Sequence, residues 1–131
     1  MKYVCLVHVD AELMAGLSPE ELRALADRSI EADWALRRRG QLVLSQPLHR
    51  PATAVMVRVR DGRRSTTDGP YAETKEMLGG FFVIEAGDLD QAVAIAGESP
   101  MAALGTIEVR PALEQTHSQT GEARPDPQPA R

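Results

Sequence analysis

The chain of 131 residues has little that marks a familiar chemistry: one cysteine, three histidines, one Trp, two Tyr and two Phe. A lone Cys5 excludes an intrachain disulfide framework and any multi-cysteine metal site. There is no basic surplus either, since 15 Lys and Arg face 19 Asp and Glu, for a net charge of -4. That balance leaves no electrostatic footprint for nucleic acid. The only dense cationic run is Arg37-Arg38-Arg39. No apolar stretch approaches the length needed to cross a bilayer, and the opening MKYVCLVHVD is too short and too polar at its end for a signal peptide. A soluble, cytoplasmic protein without membrane or nucleic-acid partners is therefore expected. Phosphate loops, dinucleotide fingerprints, zinc spacings and nucleophile elbows are all missing, so no cofactor and no dedicated metal site is expected.

What is present reads as one globular domain, with 43% apolar and 26% charged residues in a chain long enough for a single core. Residues 3 to 9, YVCLVHV, are aliphatic on both alternating faces and predict a strand covered on two sides, with His8 sharing a face with Val4 and Leu6. In LSPEEL, Ser18 caps, Pro19 takes the first helical position and Glu21 completes a capping box. The helix should run to about residue 39, with Leu22, Leu25, Ala26, Ile30, Trp34 and Leu36 as its apolar stripe. Arg37 to Arg39 then complement the helix dipole, and Gly40 supplies the left-handed stop. QLVLSQPL predicts a second strand. TAVMVRVR alternates cleanly and leads into Asp61-Gly62, a strong hairpin signal. FFVIEA is a further strand. Asp88 and Gln91 cap a shorter helix with Leu89, Ala92, Val93 and Ala96 inward, and GTIEVRP closes the domain.

The order is strand, helix, strand, inserted hairpin, strand, helix, strand. It predicts an α+β sandwich of the ferredoxin-like, split βαβ type over residues 1–111, followed by a disordered tail over 112–131. Two helices cover one sheet face. The other face also carries apolar residues, so a second copy is expected to cover it as a homodimer.

TDGPYAETKEMLGG, residues 67 to 80, is the densest cluster of special residues. Asp68, Gly69 and Pro70 form a turn by their own chemistry. A turn alone does not require Glu73, Lys75 and Glu76 in one short span ending at Gly79-Gly80, where backbone or ligand can approach closely. In a helical turn Glu73 and Glu76 fall on one side, and with Asp68 they make an acidic cluster. Paired carboxylates serve general acid/base work. The same oxygens with His8 or His49 could instead hold a divalent metal, or the segment could be purely architectural. Asp33 stands near the apolar stripe of the first helix and needs a partner if buried, for which Arg58 or Arg60 is available. Cys5 reads as a small buried hydrophobe.

MKYVCLVHVD, the SPEEL helix start, the RDG hairpin, TDGPYAETKEMLGGFFVIE, DLDQAVAIA and IEVRP, in that order, resemble the YCII-related proteins of the DGPF type, with Tyr71 where Phe is usual. The resemblance implies a dimeric α/β-barrel fold and an activity that is largely unassigned, and since family members are often encoded beside extracytoplasmic-function sigma factors, it suggests a regulatory or stress setting. In the wider group a His and Asp pair has been proposed as catalytic. Here Ser29 or a near neighbour falls where that His is expected, and no histidine lies between residues 18 and 40, so the pair does not carry over.

These readings converge on a pocket for a small metabolite beside the DGPY segment, with cofactor-free proton transfer as its chemistry. Asp68, Glu73 and His8 are the candidate acid/base groups. Asp10, Arg58, Gly69, Pro70, Tyr71, Lys75, Glu76, Gly79 and Gly80 are the candidate ligand-binding positions. The alternative is a dimeric interaction module in a sigma-factor stress response, with the motif serving as architecture.

Overall fold

A computed structural model describes residues 1–127. Along the chain run β1 (Lys2–Asp10), α1 (Ala11–Ala15), α2 (Pro19–Arg38), β2 (Leu42–Pro47), β3 (Val55–Arg60), β4 (Arg63–Asp68), β5 (Glu76–Glu85), α3 (Leu89–Gly97) and β6 (Gly105–Pro111), with short 3-10 turns at Pro51–Thr53 and Pro100–Ala103. Four strands form an antiparallel sheet ordered β2-β5-β1-β6, and β3 pairs only with β4. Each βαβ unit leaves a gap that a strand of the other unit fills, which is the ferredoxin-like α+β fold expected from the element order. The β3–β4 hairpin is the insertion. Of the tail, Ala112 still donates its N–H to the Lys2 carbonyl, and Thr116 bridges to Ala123. Positions 128–131, the last four of the expected disordered tail, lie outside the described residues.

Local chemistry sets most element ends. The Ser18 hydroxyl accepts from the Glu21 N–H while the Glu21 carboxylate accepts from the Ser18 N–H, a complete capping box with Pro19 in the first turn. These bonds to the ionised form hold the Glu21 carboxyl below its ordinary range. Gly40 stops α2 at a φ of 72°. Asp61 and Gly62, at φ of 53° and 73°, form the two-residue turn that fixes Arg60 opposite Arg63. Asp88 Oδ1 accepts from the Gln91 N–H at 2.8 Å and starts α3.

The two helices are rotated relative to their sequence-predicted stripes. On α2 the residues turned inward are Leu25, Ser29, Ala32, Asp33 and Leu36, of which only the two leucines are fully buried. Ile30 and Trp34, expected in the core, are 56% and 57% exposed. On α3, Ile95 joins Ala92 and Ala96 in the core while Leu89 and Val93 lie outside. In both cases the apolar surface is wider than the stripe the sheet can cover, and packing picks one edge of it.

The sheet has two unlike faces. Tyr3, Cys5 and Val7 of β1 are opposite Ile84, Phe82 and Gly80 of β5, and all six are buried toward the helices. With Leu36, Ala92, Ile95 and Ala96 they form most of the core. Leu25 is buried but stands outside that contiguous cluster. Alternation puts Val4, Leu6, His8, Phe81 and Val83 on the other face, against which no helix packs among the described residues.

Candidate functional site

The segment after the hairpin is a loop and a strand, where the sequence predicted a short helical span. Asp68 ends β4 opposite Val55, and the Gly69 N–H reaches the Ala54 carbonyl at 2.8 Å. A Cβ on Gly69 would stand 3.1 Å from Ala54 Cβ and from Met56 Sδ, so this close approach requires glycine. The Gly69–Pro70 peptide is cis. Tyr71 is 79% exposed, and Glu73 is exposed without a hydrogen bond or ion pair among the described residues. Thr74 ties the loop end to the strand, its hydroxyl donating to the Glu76 carbonyl. From Glu76 onward the chain is β5, so Glu73 and Glu76 belong to different elements and do not share a helix face.

Gly79 and Gly80 are interior strand residues at a bulge. Val7 pairs with Gly80 and His8 with Leu78, which leaves Gly79 as the extra residue on β5. A Cβ on Gly79 would come within 2.8 Å of Val9 Cγ2, and one on Gly80 within 3.1 Å of the Gln46 carbonyl oxygen of β2. Glycine here lets the two neighbouring strands close on β5.

Four of the sequence-predicted residues meet on the helix-free face at the end of β1. His8 Nε2 lies 3.0 Å from Glu108 Oε1, and the Thr106 hydroxyl donates to Glu76 Oε1 at 2.8 Å. Glu76 is opposite Asp10, and Lys75 Nζ is 4.0 Å from Asp10 Oδ2. The other Asp10 oxygen caps α1, accepting from the N–H groups of Glu12 and Leu13. Asp10 is thereby tied down by backbone. Glu108 and Thr106 were not foreseen from the sequence; period-two alternation in GTIEVRP is the signal that puts both on the His8 face. Arg58 is separate from this row, exposed on β3 opposite Ser65. No group of three His, Cys, Asp or Glu side chains is arranged to hold a metal ion among the described residues.

The principal cavity lies on the opposite face, between α2 and the sheet. It has a volume of about 1010 Å³ and is walled mainly by apolar side chains, among them Leu25, Met77, Phe82 and Met101. Its cause is a shortage of side chains on both walls. Between Leu25 and Leu36, about 16 Å of helix at ~1.5 Å per residue, the half-buried residues that α2 gives to the wall are Ser29, Ala32 and Asp33, with the more exposed Ala26, Ile30 and Ala35 beside them. Across from them β5 presents Gly79 and Gly80. Of the sequence-predicted site residues, these two glycines line the cavity and the other ten do not. A smaller recess of about 330 Å³ is lined by Gly69, Pro70, Glu73 and Thr74 together with Pro51, Ala52 and Met77. The last three also line the large cavity, so the DGPY turn adjoins its mouth.

Charged groups around the cavity are few. Glu98 is held by Arg39 at 3.0 Å. His49 and Arg50 are exposed on the loop after β2. Asp33 is half-buried and has no hydrogen bond or ion pair among the described residues. Cys5 lies in the core outside the cavity lining, fully buried, and burial pushes its thiol up to about 11. A thiol so placed is a packing residue, since nucleophiles need the opposite shift.

The comparisons with known proteins cover nearly the whole described fold. The YCII-related domain model matches residues 1–116. The uncharacterized protein R00369 of Rhizobium meliloti is 32% identical over 120 residues, which span 85% of this chain and 91% of that relative. The matched region runs from β1 through β6 and so takes in both βαβ units, the inserted hairpin and the DGPY turn. The chain belongs to the YCII-related family.

Proposed function

We propose that this protein binds a small, largely apolar metabolite in the cavity between α2 and β5, with cofactor-free acid/base chemistry as the activity the site could support. One observation carries the reading: among larger apolar side chains, the small residues Ser29 and Ala32 on α2 and Gly79 and Gly80 on β5 line the same cavity and leave space between helix and strand. A cavity of this size among apolar side chains with a few polar groups has the composition of a metabolite site. The adjoining recess supports a role for the DGPY turn at its mouth, where Glu73 is the carboxylate nearest to a ligand that extends outward. Ser29 stands on the cavity wall, and since Ser29 or a near neighbour falls where the wider group's histidine is expected, this supports the same location for the site without that group's base.

The test is a thermal-shift screen of apolar metabolites on the wild type and on Ala32→Leu, whose added side chain occupies the cavity. A ligand that binds only the native state raises its apparent stability by mass action. Compounds that stabilise the wild type and leave Ala32→Leu unmoved support the reading. Equal shifts in both proteins sink it.

A second reading, a homodimeric interaction module, is favoured by the apolar surface left open. Val55, Val57 and Val59 on one face of the hairpin are 58%, 60% and 59% exposed, and the helix-free sheet face adds Leu44 and Leu78. An isolated two-stranded hairpin is marginal in water, so a surface that covers this one stabilises it. In this reading a second copy packs on the helix-free face, and Leu6→Glu or Val83→Glu turns a dimer into a monomer in sedimentation equilibrium. A wild type that sediments as a monomer at micromolar concentration removes the idea. A link of such a module to a sigma-factor response is a separate part of this reading, open to co-purification.

A further inference from the structure

Among the described residues, Asp33 is the one acid on the cavity wall without an ion pair. Glu98, the other carboxylate there, is engaged by Arg39 at 3.0 Å. The partners foreseen for Asp33 from the sequence, Arg58 and Arg60, stand on the hairpin and do not line the cavity. His49 and Arg50 share the lining, yet neither makes an ion pair with Asp33. A half-buried carboxylate on the wall of an apolar chamber keeps part of its solvation through water that enters the chamber. Any ligand that fills the space expels that water and must replace what it gave.

The three simplest ligand chemistries differ sharply on this point. A neutral apolar ligand strips the carboxylate and gains only the hydrophobic contact. A carboxylate ligand adds like-charge repulsion inside a low-dielectric space. An ammonium supplies both the opposite charge and donors. Ser29 sits one turn before Asp33 on the same helix face and offers a hydroxyl oxygen as a second acceptor, and no hydrogen bond within the chain occupies it among the described residues.

Resting on the reading that the cavity is a binding site, we infer that its ligand is an apolar amine, with the ammonium received by the Asp33 carboxylate and the Ser29 hydroxyl and the hydrocarbon body laid over Gly79 and Gly80 against Leu25, Met77 and Phe82. The selectivity lies in charge at one end and in shape along the rest. Nothing in this arrangement requires a bond to be made or broken.

The experiment is calorimetric titration of the full chain with three probes on one skeleton: phenylbutylamine, phenylbutanol and phenylbutyrate. The amine is expected to bind the wild type about 10-fold to 100-fold more tightly than the alcohol, the range of a hydrogen bond to a charged group. Phenylbutyrate is expected to be the weakest. In Asp33→Asn, nearly the same size and still helical, amine affinity should fall to that of the alcohol while the alcohol is unchanged. Alcohol or butyrate binding as tightly as amine, with all three lost in Ala32→Leu, overturns the amine assignment and leaves the cavity as a site. No binding by any probe overturns both. An amine preference that survives Asp33→Asn also overturns it, and if that variant fails to fold, the ranking of the three probes on the wild type decides.

Discussion

Filling the space beneath α2 is the most direct test of why that space exists. In Ser29→Leu, an isobutyl group replaces a hydroxymethyl on the cavity wall, where the serine makes no hydrogen bond within the chain among the described residues. Full burial of a leucine side chain stabilises by ~1.5–3 kcal/mol. Ser29 is half-buried, so roughly half of that, ~0.75–1.5 kcal/mol, applies here. Helix propensity adds a few tenths of a kcal/mol, since leucine is the better helix former. For a domain of this size 1 kcal/mol moves Tm by roughly 3–5 °C, so scanning calorimetry should show a rise of about 4–8 °C. Ser29→Ala separates the contributions, because it improves propensity without filling the chamber, and its Tm should rise by no more than about 2 °C. If α2 were tightly packed on the sheet, the added methyl groups would instead overpack the site and cost ~1–3 kcal/mol. A Tm of Ser29→Leu below that of the wild type would therefore refute the reasoning.

Three other outcomes follow from the same geometry. Gly80→Ala should destabilise the protein by ~1–3 kcal/mol in chemical denaturation, because its Cβ meets the Gln46 carbonyl oxygen at 3.1 Å and the paired strand must move aside. Ser18→Ala should cost ~1 kcal/mol through loss of the cap at the start of α2, and Ser18→Asp should restore most of it. The Cys5 thiol, raised from 9.0 to about 11 by burial, stays neutral in the folded protein while the unfolded chain ionises. Its stabilising contribution is complete below pH 9.0 and declines as pH rises toward about 11. Relative to Cys5→Ala, the wild type should thus lose ~2–3 kcal/mol across that window. A difference between the two proteins that does not change with pH would contradict the burial account.

The features legible in the sequence are those decided within a few residues. Ser18, Pro19 and Glu21 start α2 because their bonds close within one turn. Asp61-Gly62 fixes the hairpin register because only a left-handed pair fits a two-residue loop. The order of such elements, with right-handed crossovers and one sheet to share, was enough to specify the ferredoxin-like topology. Cys5 could be read as a packing residue because a strand apolar on both faces offers it nowhere polar to point.

What stayed hidden depends on partners far along the chain. The expected stripe of Leu22, Leu25, Ala26, Ile30, Trp34 and Leu36 is broad, and periodicity along α2 cannot say that the sheet will bury Leu25 and Leu36 and leave Ile30 and Trp34 outside. Glu73 and Glu76 looked like helical neighbours because the chain between Gly69 and Gly80 has no strong local preference; pairing with β1 drew Glu76 into β5 and left Glu73 in the loop. Gly79 and Gly80 announced close approach without saying to what. By itself the sequence determined the ends that caps and tight turns set, at Ser18, Gly40, Asp61-Gly62 and Asp88, since these are short-range. Only the tertiary structure decided which faces meet, and with them the cavity, because a void is a property of two surfaces and neither one records the shape of the other.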